Sequence, residues 1–261
     1  MTGFLLRLAG PMQSWGERSP FNAQRDSAPF PTRSGLIGMF AAAEGLPRGA
    51  DLGCYRQLEF TVRIDRPGVE LVDYHTAGGG RPKHLTAATS AGDHKGEAVV
   101  TRRTYLADAV FVVAVSGPEP DITRIAAALQ RPYWAPYLGR RSCVPDEPLL
   151  LRAHVEDPVD ELRRRVPLSV NKPRHRRGQP VPETMPVDFL WESRQGQPTP
   201  GEVIVSINDN PNSFAQHGRG YSKRQITRTE EQLPTGLATE DDSAPLYQRL
   251  IAYAQNQEAT A

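Results

Sequence analysis

Two short segments with helical period, separated by a long stretch of strand-period sequence, constrain this chain more than any other feature. Leu36, Met39, Phe40 and Ala43 recur at i, i+3, i+4 and i+7, the spacing of one helical face. Ile122, Ile125, Ala126 and Leu129 repeat the pattern. Each helix needs an apolar surface to cover. Residues 4–9 form an apolar run broken only by Arg7, which reads as a mostly buried strand. Phe60, Val62 and Ile64 alternate with Glu59, Thr61, Arg63 and Asp65, the period of a half-buried strand. Pro67-Gly68 turns the chain into a partner strand over residues 69–74. Residues 98–105 are β-prone and basic, residues 110–115 read as a central strand, and residues 149–155 close the set. Ser34 and Asp121 are placed to cap the two helices.

The order is strand, helix, strand, hairpin, strand, helix, strand. That is an α+β, ferredoxin-like (RRM-type) order. Two helices on one face of an antiparallel sheet leave the other face open, and RRM-type proteins hold RNA on such a face. Residues 75–98 are rich in Gly, Thr, Ala, Ser, His and Lys with no apolar period. Together with their flanks they predict a protruding β-hairpin. Beyond residue 156 the pattern weakens, and only residues 187–191 and 203–207 look like strands. The expected organisation is an RRM-like domain over 1–155, a small basic β-rich region over 156–228, and an acidic linker with a terminal helix over 229–261. Leu246, Leu250 and Tyr253 mark that helix.

Composition narrows the function classes. The formal charge is +1 over 261 residues, so a nucleic-acid surface must come from local clustering of Arg and Lys. The 24 prolines, concentrated in the second half, predict loops there. Cys54 and Cys143 form no CxxC pair, which argues against a zinc finger. No leader-like start and no apolar run of membrane length is visible, so a cytoplasmic protein is expected. No cofactor or metal is expected. H-E-x-x-H, G-x-S-x-G and P-loop motifs are absent.

Four groups could bind RNA. Gln13, Trp15, Arg33 and Ser34 surround the start of the first helix, whose free N–H groups attract phosphate. Tyr137, Gly139, Arg140 and Arg141 follow Tyr133 and Trp134, so rings that stack on bases adjoin guanidiniums that pair with phosphate. Arg102 and Arg103 sit on the hairpin with His84, His94 and Lys95. The basic residues between Arg163 and Arg177 form the last group; they also suit a solvated face or a protein partner. Tyr74 and His75 are further candidate RNA contacts and the one pair suited to acid–base work on RNA. They keep open a metal-independent endoribonuclease. The plainer alternative is that they end a strand.

Residues 6–16 (LRLAGPMQSWG), 30–36 (FPTRSGL), 73–76 (DYHT) and 136–143 (PYLGRRSC) occur in that order. These four blocks closely resemble the CasD family, the Cas-five subunit of type I-E Cascade in the RAMP superfamily. The resemblance is close over residues 4–155 and looser over 156–228. It implies an RRM-like domain with a β-hairpin thumb, here about residues 75–104. It also implies a non-catalytic role: holding the 5′ handle of the crRNA at one end of the complex, beside CasC backbone subunits and the large subunit CasA. Target DNA would be met only indirectly, through the complex.

Overall fold

The computed structural model describes residues 1–16, 24–86, 92–94, 96, 98–170, 182–192, 201–215, 218–238 and 243–255. Lys95 and the basic residues 172–177 lie outside that set. The described elements run β1 (Gly3–Ala9), β2 (Met12–Gln13), β3 (Gln24–Arg25), α1 (Arg33–Ala43), β4 (Glu59–Arg66), β5 (Val69–Ala77), β6 (Val99–Ala107), β7 (Val110–Ser116), α2 (Glu119–Gln130), β8 (Leu150–Val155), α3 (Pro158–Arg164), β9 (Thr184–Trp191), β10 (Val203–Ser213), β11 (Gly220–Pro234) and α4 (Ser243–Gln255). No helix among them is long and apolar enough to cross a membrane.

Seven strands form one sheet in the order β10-β11-β9-β4-β7-β1-β8, and every pairing in it is antiparallel. A second, smaller sheet is built on β6, with β5 along one edge and the short β2 and β3 along the other. The boundary expected at residue 155 does not divide the sheets. β9 pairs with β4, so the C-terminal strands extend the sheet built by the N-terminal ones.

β1 and β7 are buried at every position, which requires cover on both faces. α1 and α2 supply one cover. Leu36, Phe40, Ile122 and Ile125 pack on Phe4, Leu6, Phe60, Phe111 and Val113. The opposite face is not open, contrary to the sequence expectation. Leu162 of α3, Val166, Leu168, and Leu250 and Tyr253 of α4 pack there on Leu5, Val112, Ala114, Leu151 and Phe189. The run of β1, apolar at every position but Arg7, carried this signal, because a strand with one wet face would alternate.

An arginine ties the second layer down. Arg63 is fully buried on β4. Its guanidinium holds both oxygens of Asp65, at 2.7 and 3.1 Å. It also donates to the carbonyls of Leu162, Val166 and Pro167 at 2.5, 3.0 and 2.9 Å. Helix C-termini leave such carbonyls without partners, and here one side chain serves the end of α3 and the turn after it. α3 was not foreseen, although Asp157 caps it by accepting from the Val159 and Asp160 amides and Pro158 opens it.

Three local expectations are corrected. Thr32, not Ser34, caps α1, accepting from the Gly35 amide at 3.3 Å. α2 starts at Glu119 behind Pro118, so Asp121 lies in its first turn, where it pairs with Arg124 at 2.8 Å. Residues 229–234, read as acidic linker, belong to strand β11. Glu231 there pairs with Arg163 at 2.7 Å, a partner too distant in sequence to show in the local pattern.

The loop between α2 and β8 depends on one glycine. Gly139 has φ +83, and a Cβ there would lie 1.7 Å from the Ser14 carbonyl oxygen. Backbone strain of this kind costs about 1–3 kcal/mol before the clash is counted. Gly139→Ala is therefore expected to lower the thermal midpoint by several degrees, and an unchanged midpoint would show that the close approach is dispensable.

Candidate nucleic-acid interface

Three guanidiniums converge on β6. β3 runs parallel to it, with Arg25 beside Arg103. Side chains two apart on a strand share a face, so Tyr105 lies on the side of Arg103. Arg140, from the loop after α2, stacks on the Tyr105 ring with its carbon 4.6 Å from the centroid. Its Nη2 donates to the Arg25 carbonyl at 3.4 Å. Arg103 Nε donates to the Thr101 hydroxyl at 3.2 Å.

No described carboxylate forms an ion pair with any of the three. Asp73 faces Arg103 in the β5–β6 register, but the ionisable group its carboxylate approaches is the His75 ring, whose Nδ1 lies 3.8 Å away. Arg25 Nε and Arg140 Nη1 are buried and have no hydrogen-bond partner among the described residues. Partial burial, followed by the Arg103 and Arg140 charges, pushes the Arg25 guanidinium below its ordinary value. Like charges held together without counter-charge repel, and donors left without acceptors cost stability. An anion with several oxygens relieves both, and phosphate accepts from arginine bidentately.

Beneath the cluster lies a set of residues that sequence alone placed at the interface. Trp15 is fully buried, packed close against Gly35 at the start of α1. Its ring is enclosed by the protein and offers no face to a base. Gln13 is also fully buried. Its amide donates to the Leu8 and Ala109 carbonyls at 2.9 and 2.8 Å and accepts from the Trp15 indole at 3.0 Å. Ser34 is half-buried in the first turn of α1, with its hydroxyl 3.5 Å from that of Thr32.

Arg33 and the N-terminus of α1 are taken by the protein itself. The Arg33 amide donates to Asp209 at 2.7 Å. Its guanidinium pairs with Glu192 at 2.5 Å and donates to the Leu58 and Tyr55 carbonyls. Arg224 joins Asp209 to Glu192, at 2.5 and 2.8 Å. Burial pushes the Glu192 carboxyl up, while Arg224 and Arg33 pull it back. The anion that a helix N-terminus attracts is here an aspartate of β10. The expected phosphate site at Arg33 is therefore filled from within.

The remaining candidates stay at the surface. Arg141 is exposed, and Tyr137 and Arg140 are half-buried. Gly139 lets the loop cross close over Ser14. Tyr74, 66% exposed, stands opposite the exposed Arg102 in the register of β5 and β6. Successive strand residues point to opposite faces, so the Tyr74 hydroxyl and the His75 ring do not converge on one atom. His84 and His94 sit at the far end of the hairpin, with His94 Nδ1 2.6 Å from the Thr86 carbonyl. Among the described residues no group of three His, Cys, Asp or Glu side chains is placed to hold a metal ion.

Sequence reasoning missed two members of the cluster. Arg25 stood in a long polar loop, and its parallel pairing with β6 has no local signature. Tyr105 had one: its spacing of two from Arg103 puts it on that face of a strand.

Antiparallel strands packed between helices, with three arginines gathered at β6 that form no ion pair with a described carboxylate, define a mixed α/β protein. The model of the CRISPR-associated protein (Cas_Cas5) family matches residues 3–225, and the chain belongs to that family. It is 38% identical over 163 residues to the CRISPR system Cascade subunit CasD of Escherichia coli (strain K12), covering 56% of this chain and 69% of that protein. A chain of a CRISPR RNA-guided surveillance complex superposes with TM-score 0.85 at 49% identity, over 97% of this chain and 99% of that one. A second solved structure, of a Cas protein, superposes with TM-score 0.61 at 29% identity, over 92% of this chain and 98% of its own.

Proposed function

We propose that this chain is a non-catalytic RNA-binding subunit of a type I-E Cascade surveillance complex, where it holds the 5′ handle of the crRNA. The Arg25–Arg103–Arg140 cluster carries this conclusion, because guanidinium donors within it lack acceptors among the described residues. The likeness to a Cascade subunit and to a chain of an RNA-guided complex supports the same assignment. Phosphates of the handle bind the cluster and fix its register. Tyr74, Arg102, Tyr137 and Arg141 are the surface groups that meet neighbouring nucleotides, and Tyr74 and Tyr137 supply rings for unstacked bases.

On this reading β4, β7, β1 and β8, crossed by α1 and α2, form the ferredoxin-like core of an RRM-like domain over residues 1–155. The hairpin of β5 and β6, about residues 75–104, is the thumb. Residues 156–228 form a smaller β-rich region. CasC backbone subunits and the large subunit CasA are the protein neighbours. The complex works in the cytoplasm in antiviral defence, and target DNA is read by guide pairing.

Purified protein incubated with its repeat RNA in a chelator tests this directly. The expected result is retention of RNA carrying the handle, with no cleavage. Site-specific cuts abolished by His75→Ala or Tyr74→Phe would instead establish a metal-independent endoribonuclease.

A further inference from the structure

The two ends of the seven-stranded sheet are finished differently. Beside β8 lies α4. Arg152 stacks on the Tyr253 ring at 4.3 Å and donates to the Tyr253 carbonyl at 3.1 Å. The Tyr253 hydroxyl donates to Glu161 at 2.6 Å. At the other end, β10 has no strand along its outer edge among the described residues. Val203, Ile204 and Val205 there are 53%, 52% and 37% exposed. Ile207, on the same face as Val203 and Val205, is buried in the core with Ile226. The apolar row of β10 therefore runs off the core into solvent.

Proteins usually guard such edges with lysine, proline or a bulge. Residues 203–207 read Val-Ile-Val-Ser-Ile, and the first register shift comes only after Ile207. The arginines opposite on β11 are neutralised. Arg228, across from Val203, pairs with Asp188 at 2.6 Å. Arg224, across from Ile207, pairs with Asp209 and Glu192. The strip is thus neutral, apolar and β-branched, with backbone groups facing outward.

We infer that the outer edge of β10 at residues 203–207 docks an uncharged, β-prone segment of another protein subunit, which adds to the sheet as a further strand. Charge selects this occupant. Residues 203–207 offer no cation to a nucleic-acid backbone and no counter-charge to a charged peptide. The inference rests on the proposed membership of a multi-subunit complex, since only such a complex brings a partner strand to every copy.

Hydrogen exchange separates the outcomes. The free chain is compared with the same chain in the RNA-bound complex reconstituted with its cognate subunits. Amides of residues 203–207 are expected to exchange at least tenfold more slowly in the complex. Equal exchange in a complex that has formed normally overturns the docking edge and leaves the RNA-subunit assignment standing. Failure of the chain to enter any RNA-bound complex overturns both. Protection already present in the free chain, with a dimer mass by light scattering, assigns the edge to a second copy and also overturns the proposal. Ile204→Lys provides an independent check. It is expected to leave the melting curve of the free chain in place and to cut incorporation at least tenfold. Full incorporation would count against the site.

Discussion

Arg63→Ala is expected to lower the unfolding free energy by about 3–5 kcal/mol, the usual cost of removing one partner from a buried ion pair. The change strands Asp65, whose side chain is fully buried with that of Arg63. It also leaves the carbonyls of Leu162, Val166 and Pro167 without their donor. A single arginine carries this weight because it joins two layers, the strand that bears it and the helix that covers that strand. Denaturant unfolding followed by far-UV circular dichroism measures the effect. A loss below about 1 kcal/mol, the scale of an exposed pair, would mean that α3 is held by its apolar packing alone. Arg63→Lys is not expected to rescue, since an ammonium cannot span a carboxylate and three carbonyls in one plane.

Arg103→Ala combined with Arg140→Ala is expected to weaken binding of handle RNA by at least about 100-fold, taking each charged hydrogen-bonding group at about 1.5–3 kcal/mol. The salt dependence should flatten as well. The logarithmic slope falls by about 0.7 for each phosphate of a single strand that the protein no longer neutralises. Both side chains are only partly buried, and neither forms an ion pair with a described residue. The fold should therefore tolerate the double change. Unaltered affinity and slope would remove the cluster from the RNA-binding surface.

The elements that sequence made legible are those whose neighbours are close along the chain. The helical faces of Leu36–Phe40 and Ile122–Leu129, and the alternation around Phe60, follow from local period, and α1, α2 and β4 form there. The hairpin of β5 and β6 was legible for a different reason. Pro67-Gly68 and a polar excursion bracket two β-prone runs. What stayed hidden depends on residues far apart. Glu192 and Asp209 decide what Arg33 does, and nothing within a dozen residues of Arg33 announces them. Trp15 and Gln13 looked like ligand groups because an aromatic and an amide in a polar loop suit RNA. The same chemistry also suits a buried corner in which an indole N–H must find an acceptor, and Gln13 provides it. Motif resemblance drew attention to these segments without telling which side chains turn inward.

The carboxylate of Asp209 at the start of α1 has a consequence for biosynthesis. A ribosome delivers Arg33 long before it delivers Glu192 and Asp209, the acids that neutralise it and close the first turn of its helix. The Arg33 guanidinium and the amide that opens its helix therefore lack these two partners until the C-terminal strands have been made.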